Sequence, residues 1–383
     1  MPARTAARSW LLRRAGGRLA AGPVAASPAG PPHRVLVIRP DHLGDLLLTT
    51  PALTHLRAAL PDAHLALLVG PWNADAAACL PMVDEVLTLP FPFFDRRPKS
   101  SPLHPYGVLL REARRLAGLS FDTAVVMRHD FWWGAMLAAR AGIPRRLGFA
   151  YPDALPFLTH SLPEPWAEHE AARCLDLAAV LAGPCAERPP MSLTPADEDL
   201  AFAARWRDEY GVPHRFAVIH PGSGAAVKLW PAERWGPVAD ALAAAGVSVV
   251  VTGTQPEIGM VETVVHACER ARPTPLVGAS VGQVAAVLVG SAAVLGPDSG
   301  ILHLAEACGA PTVRLFGPVP AERFGPWSVD GRHRVVRASV PCVPCGQLDF
   351  PAGELPYHPC VRAITVEQVV AEALALLEPV KAP

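Results

Sequence analysis

Short, mostly apolar runs alternate with longer amphipathic stretches along almost the whole chain. In the first half, residues 35–39, 65–69, 85–89, 123–127 and 146–149 have the length and composition of strands. Apolar runs of that length suit a parallel sheet covered on both faces. Between them, residues 45–60, 74–80, 107–117, 132–141 and 168–181 carry their apolar side chains at helical spacing. The second half repeats the theme. Strands are predicted at 216–220, 247–252, 274–277, 293–295 and 312–316, and helices at 233–245, 257–268, 281–289 and 301–307. A closing helix, 365–377, has alternating apolar and acidic faces. Such alternation predicts βαβ units and a parallel sheet in each half.

Residues 187–195 hold three prolines and almost no periodicity, and read as a linker. The expected organisation is therefore a basic, disordered extension at 1–33, an N-terminal domain at 34–185, a linker and connecting helix at 186–211, and a C-terminal domain with its closing helix at 212–383. A chain of 383 residues is long for one core and fits two. With 51% hydrophobic and 18% charged residues it can bury both. The net charge of −1 gives no push toward nucleic acid, so no nucleic-acid partner is expected.

The first 33 residues carry Arg4, Arg8, Arg13, Arg14 and Arg18 and no acid. Their apolar run is too short and too interrupted for a secretory signal, and no window reaches the roughly 18–20 apolar residues of a membrane span. Two readings of this extension stand: a disordered tail, or a weak membrane-surface contact. The expected place is the reducing cytoplasm, with the inner face of the membrane as the site of any peripheral contact.

The densest chemistry lies at 295–326, LGPDSGILHLAEACGAPTVRLFGPVPAERFGP. A strand runs into Gly296-Pro297-Asp298-Ser299-Gly300, and a helix carrying His303 and Glu306 follows. Free N–H groups and the positive end of a helix dipole there form a seat for phosphate or diphosphate. Ser299 and Gly300 permit close approach, and Asp298 and His303 can add side-chain contacts. For His303 a helix histidine bonded to backbone is the competing reading.

A second candidate is Asp45, after the loop Pro40-Asp41-His42-Leu43-Gly44. A carboxylate there can take a proton from a hydroxyl, or simply cap its helix. Asp41 is its rival in the same loop. The helix start is expected to keep Asp45 ionised. Lys228 follows a strand and the loop Pro221-Gly222-Ser223-Gly224, whose spacing is not G-x-x-x-x-G-K-S/T. It can neutralise a leaving diphosphate, with Ser223 donating to the same phosphates, or be a solvated surface lysine. Arg96, Arg97 and Lys99, with Arg111, Arg114 and Arg115, crowd one region of the first half. They form either a patch for an acidic acceptor or a solvated face. Cys342, Cys345, Cys360 and His358 have some of the spacing of a zinc site, but the second pair is H-x-C.

Three segments together resemble the ADP-heptose:lipopolysaccharide heptosyltransferases, the inverting glycosyltransferase family 9. Residues 34–53, RVLVIRPDHLGDLLLTTPAL, are close to that family's opening strand, loop and helix. Residues 220–235, HPGSGAAVKLWPAERW, resemble its second signature, and 295–326 its donor-site signature. They occur in the family's order and bracket residues 34 to about 370. The resemblance implies an α/β protein of GT-B architecture, two Rossmann-like parallel-sheet domains facing a central cleft. It implies Asp45 as general base, and Ser223, Lys228, Asp298, Ser299, Gly300 and His303 as donor-binding residues. Glu257 is assigned to the nucleoside ribose, with Gln255 competing. Many members have a further cysteine between Cys345 and Cys360, and this chain has none, which puts a structural role for the cluster in doubt.

The implied reaction moves a sugar from a nucleotide-sugar donor, ADP-heptose, to a hydroxyl of a lipopolysaccharide core or another glycoside. No cofactor and no catalytic metal are expected, because a lysine and a helix end can hold the diphosphate. Two alternatives remain at this stage: a nucleotide-sugar 2-epimerase of the same architecture, and a non-catalytic nucleotide-sugar-binding protein. The epimerase fits an Asp-Ser-Gly at a helix start but expects another Gly and paired acids where Ile301-Leu302-His303 stand.

Overall fold

A computed structural model of the chain describes residues 30–95, 101, 103–163 and 168–378. The extension read at 1–33 lies almost wholly outside the described residues, as do Arg96, Arg97 and Lys99. The chain forms two compact units, residues 1–189 and 190–383. The first contains strands β1 (Arg34–Arg39), β2 (His64–Val69), β3 (Glu85–Thr88), β4 (Thr123–Val126), β5 (Arg145–Phe149) and β6 (His160–Leu162). They form one sheet in the order β3-β2-β1-β4-β5-β6, with every neighbouring pair parallel. The second contains β7 (Phe216–Ile219), β8 (Ser248–Gly253), β9 (Thr274–Val277), β10 (Ala293–Pro297), β11 (Thr312–Phe316) and β12 (His333–Arg337). Its sheet, again all parallel, runs β12-β11-β10-β7-β8-β9. Renumbered within each unit, both orders are 3-2-1-4-5-6, the doubly wound Rossmann arrangement.

The inner strands are buried from end to end. Val35 to Ile38, Leu65 to Val69, Phe216 to Ile219 and Ala293 to Leu295 all lie inside, with helices on both faces. This explains why they read as continuous apolar runs. The helix Glu170–Ala182 packs on Thr50–Ala59 and closes the first unit. The helix Asp197–Tyr210 packs on Val281–Leu288 and belongs to the second unit. Among the described residues, no helix is long and apolar enough to cross a membrane.

The structure departs from the sequence reading at two kinds of place. The helix expected at 45–60 is broken into Leu43–Leu47 and Thr50–Ala59. Pro51 causes the break, since it has no N–H to donate and its ring would press on the carbonyl of Leu47. The freed groups are taken up locally, with Thr49 Oγ1 donating to Asp45 O at 2.8 Å and Thr50 Oγ1 to Leu47 O at 2.7 Å. Two strands were also missed, β6 and β12. Both lie at sheet edges and carry exposed polar residues, so neither shows the apolar run of a covered strand.

Candidate active site

In a doubly wound sheet, ligands bind beyond the carboxyl ends of the strands, where the strand order reverses. In the first unit that point lies between β1 and β4, and in the second between β7 and β10. The chemistry-bearing residues converge on these two points.

In the first unit β1 delivers Arg39, which is 1% exposed, to the base of the loop 40–45. Its guanidinium is surrounded by carboxylates. Nε lies 3.1 Å from Asp41 Oδ2, and Nη2 donates to Asp45 Oδ1 at 3.2 Å and to Glu170 Oε1 at 3.4 Å. Nη1 donates to Met127 O, at the end of β4, at 2.8 Å. Burial alone would depress the basicity of this group. Asp41, Cys174, Asp45 and Glu170 outweigh burial and hold it firmly charged.

Asp41 and Asp45 are neighbours in sequence with different fates. Asp41, 3% exposed, is clamped between Arg39 and Arg128, and Arg128 in turn donates Nε to Asp130 Oδ1 at 2.6 Å. The Asp41 backbone carbonyl is pinned too, by Trp72 Nε1 at 2.7 Å and Asn73 Nδ2 at 3.1 Å. Asp45 has one contact with Arg39 and keeps a third of its side chain open to solvent. Burial raises its pKa first, Asp41 and Glu170 add repulsion, Arg39 and Arg128 oppose it, and the result is about 7. The expected ionising effect of a helix start is overturned here. Asp45 stands in the first turn of a five-residue helix, Leu43–Leu47, with His42 at its N-cap, but desolvation beside two other carboxylates outweighs the helix start.

In the second unit three loops meet, those after β7, β8 and β10. Lys228 Nζ donates to Asp298 Oδ2 at 2.6 Å, and Ser223 Oγ donates to Asp298 O at 3.0 Å. The loop carrying Lys228 is fixed from behind. Trp230 and Trp235 are fully buried edge to face, 4.8 Å between ring centres, and Trp230 Nε1 donates to Ile364 O at 3.0 Å. Ser299 is the N-cap of the helix Gly300–Ala307, yet its hydroxyl makes no cap bond and has no partner among the described residues. The first amides of that helix are thus not covered by a side-chain cap.

Glu257 closes a one-turn capping box, accepting from Thr254 N at 2.8 Å and Thr254 Oγ1 at 2.7 Å through Oε2. Its other oxygen reaches the β7 loop, where a methyl group added to Gly222 would collide with it. His220 stands on the same loop. Its Nδ1–H donates to Thr252 O at 3.2 Å, so Nε2 is the lone-pair nitrogen, and burial lowers its pKa against the pull of Glu257. Gly296 is required as well, because a side chain there would strike the carbonyl of His220.

His303, 4% exposed, lies under the helix start rather than at its tip. Arg314 Nη1 approaches its Nδ1 at 3.3 Å. Since a guanidinium only donates, Nδ1 accepts. Arg314, itself 1% exposed, also pairs with Glu306 and donates to Leu302 O and Thr312 Oγ1, both at 3.0 Å. Glu306 Oε1 in turn accepts from the amides of Trp327 and Ser328 at 2.8 and 2.7 Å. This buried network ties the helix Gly300–Ala307 to β11 and orients its N-terminus.

Of the cysteine cluster, Cys342 and Cys345 are exposed, Cys360 is buried, and the His358 ring lies 3.7 Å from that of Phe350. Among the described residues, no group of three or more His, Cys, Asp or Glu side chains is placed to hold a metal ion. Arg39, Arg128, Glu170 and Arg314 escaped the sequence reading. The signal for two of them was present: Arg39 and Arg314 are charged residues inside runs that must be buried strands.

Two Rossmann-like units, with a carboxylate and an ion-paired lysine at their respective switch points, make up the kind of glycosyltransferase built on the GT-B plan. The chain belongs to glycosyltransferase family 9 (heptosyltransferase), whose family model matches residues 109–350. It is 27% identical over 321 residues to lipopolysaccharide heptosyltransferase 1 of Pseudomonas aeruginosa, covering 82% of this chain and 86% of that one. A solved family 9 glycosyltransferase from Veillonella parvula superposes with a TM-score of 0.75 at 24% identity, over 90% of this chain and 97% of its own. An Escherichia coli heptosyltransferase solved with ADP has a TM-score of 0.66 at 22% identity, over 89% and 99% of the two chains. These likenesses to solved structures establish the fold.

Proposed function

We propose that the chain transfers heptose from ADP-heptose to a hydroxyl of a lipopolysaccharide core or a related glycoside, with inversion at the anomeric carbon. Asp45 is the general base. It takes the acceptor proton as the oxygen attacks the anomeric carbon, the bond to the diphosphate breaks, and ADP leaves. Lys228, Ser223 and the amides at Ser299 and Gly300 hold the diphosphate, and Asp298 positions Lys228. Glu257 accepts from the ribose hydroxyls through the oxygen facing Gly222. His303 acts on the same helix start from behind. A base with a pKa near the working pH combines a large deprotonated fraction with useful proton affinity.

The observation that carries this reading is the separation of the two acids of the 40–45 loop. Asp41 is consumed by two arginines, while Asp45 is raised to about 7 and stays reachable. The ADP complex of the Escherichia coli relative supports the choice of nucleotide. The test is release of ADP from ADP-heptose, followed with and without a lipopolysaccharide core acceptor. Acceptor-dependent release with a heptosylated product is expected. Release of ADP with no glycosylated product, or transfer from UDP- or GDP-sugars in preference, would overturn it.

A further inference from the structure

His220 directly follows β7 and is only 6% exposed. It is fixed on three sides. Its amide donates to Leu295 O at 2.8 Å, and Nδ1–H donates to Thr252 O at 3.2 Å. Its carbonyl packs on Gly296, where a side chain would not fit. Nε2, by contrast, makes no hydrogen bond among the described residues. A buried side chain held this firmly with one polar atom unpaired is unusual, because buried polar groups are normally completed by protein, water or ligand.

The unpaired nitrogen has a neighbour of the same kind. A methyl group built on Gly222 would come within 3.1 Å of His220 Nε2 and would strike Glu257 Oε1, so the two atoms border one small space. Both are acceptors. The ring proton is on Nδ1, and burial favours the neutral ring. Glu257 Oε2 is committed to Thr254, which leaves Oε1 for a ligand. Two adjacent acceptors repel phosphate oxygens and call for two adjacent donors. In a nucleoside diphosphate, the 2′ and 3′ hydroxyls of the ribose are such a pair.

We infer that His220 is a second ribose-reading residue, with one vicinal hydroxyl donating to His220 Nε2 and the other to Glu257 Oε1. The inference rests on the proposed ADP-linked donor and on Glu257 at its ribose, and it adds a demand for a ribonucleotide. A site built to accept from a hydroxyl rejects the analogue that lacks it, since its acceptor is then left unpaired. A divalent cation is the competing occupant of an acceptor pair. Two ligands are too few for an ordinary protein site, and among the described residues no third His, Cys, Asp or Glu stands with them to hold a metal.

The test is isothermal titration of the full chain with ADP, 2′-deoxy-ADP and 3′-deoxy-ADP, with and without EDTA. The wild type should bind each analogue about tenfold more weakly than ADP, whether or not EDTA is present. His220→Asn keeps a donor for Thr252 O and removes Nε2. It should weaken ADP about tenfold and bind one of the two analogues as well as ADP. His220→Gln, whose side-chain oxygen can take the place of Nε2, should restore part of that discrimination. Glu257→Gln leaves His220 untouched and should lose discrimination against the other analogue only, which tests the assignment even if the His220 variants fail to fold. A wild type that binds ADP and both deoxy analogues equally would overturn the inference and leave the ADP reading standing. So would a folded His220→Asn that discriminates as the wild type does, or ADP binding that collapses in EDTA. A wild type that binds no ADP would remove both.

Discussion

Lys228 Nζ and Asp298 Oδ2 lie 2.6 Å apart, although seventy positions separate them in the chain. The pair bridges the loops after β7 and β10, the two strands flanking the switch point of the second sheet. Both side chains are largely buried, at 17% and 8% exposure, so the lysine is held in place before a diphosphate arrives. Lys228→Ala should raise the Kd for ADP about 10–100-fold, the loss of one to two charge-assisted bonds. Isothermal titration with ADP, UDP and GDP reads this out, with ADP preferred by the wild type. Unaltered ADP affinity in the variant would remove Lys228 from the donor site.

Glu170 acts on Asp45 through charge. Both carboxylates share Nη2 of Arg39, and the negative charge of Glu170 is one of the forces holding the Asp45 pKa up. In Glu170→Gln that repulsion is gone. The acidic limb of the rate–pH profile should move down from about pH 7 by about half a unit to one unit. An acidic limb that stays in place while the rate falls uniformly would mean that Glu170 only supports the fold.

The same raised pKa makes a stability prediction. The folded-state value, about 7, exceeds the ordinary 3.8, so folded protein binds the proton more tightly than unfolded chain. Stability is then lost as pH rises from about 4 through 7, where Asp45 must ionise beside Asp41 and Glu170. Asp45→Asn avoids that cost. Above pH 7 it should be more stable than the wild type by about 1–2 kcal/mol, solvent at the exposed third of the side chain screening the remainder. The advantage should fade between pH 7 and pH 4. Thermal melts of the two proteins across this range measure it, and a variant less stable than the wild type at pH 8 would contradict the raised value.

Gly222 is required for space. A methyl group there would press on Glu257 Oε1, and Glu257 cannot swing freely because Oε2 is tied to Thr254. Gly222→Ala should weaken ADP binding about tenfold, close to the cost of one misplaced hydrogen bond to a charged acceptor, with little change in melting temperature. Equal affinity in the variant would show that the ribose is held elsewhere.

Both sheets were legible because inner strands of a parallel sheet are buried on both faces and must be apolar throughout. Edge strands escape that rule, and β6 (HSL) and β12 (HRVVR) were invisible for that reason. Asp45, Lys228, Asp298 and Glu257 were singled out by glycine-containing loops at the ends of their strands together with the family resemblance. Their supports could not. Glu170 reaches Arg39 from 131 positions away, and nothing local to either residue announces the contact. Arg39 and Arg314 were the readable exceptions, each a full charge in a strand with no route to solvent. The ionisation of Asp45 was misjudged because a helix start is visible in sequence, whereas the burial of the side chain and the company of Glu170 are properties of the fold.

The most direct measurement compares turnover and ADP affinity in the wild type and Asp45→Asn, with ADP-heptose and a lipopolysaccharide core acceptor. Asn keeps the shape of the side chain and cannot take the proton. Transfer should fall about 10²–10⁴-fold while the Kd for ADP stays within about twofold. Transfer by the variant at near wild-type rate, with ADP bound as before, would contradict Asp45 as the base.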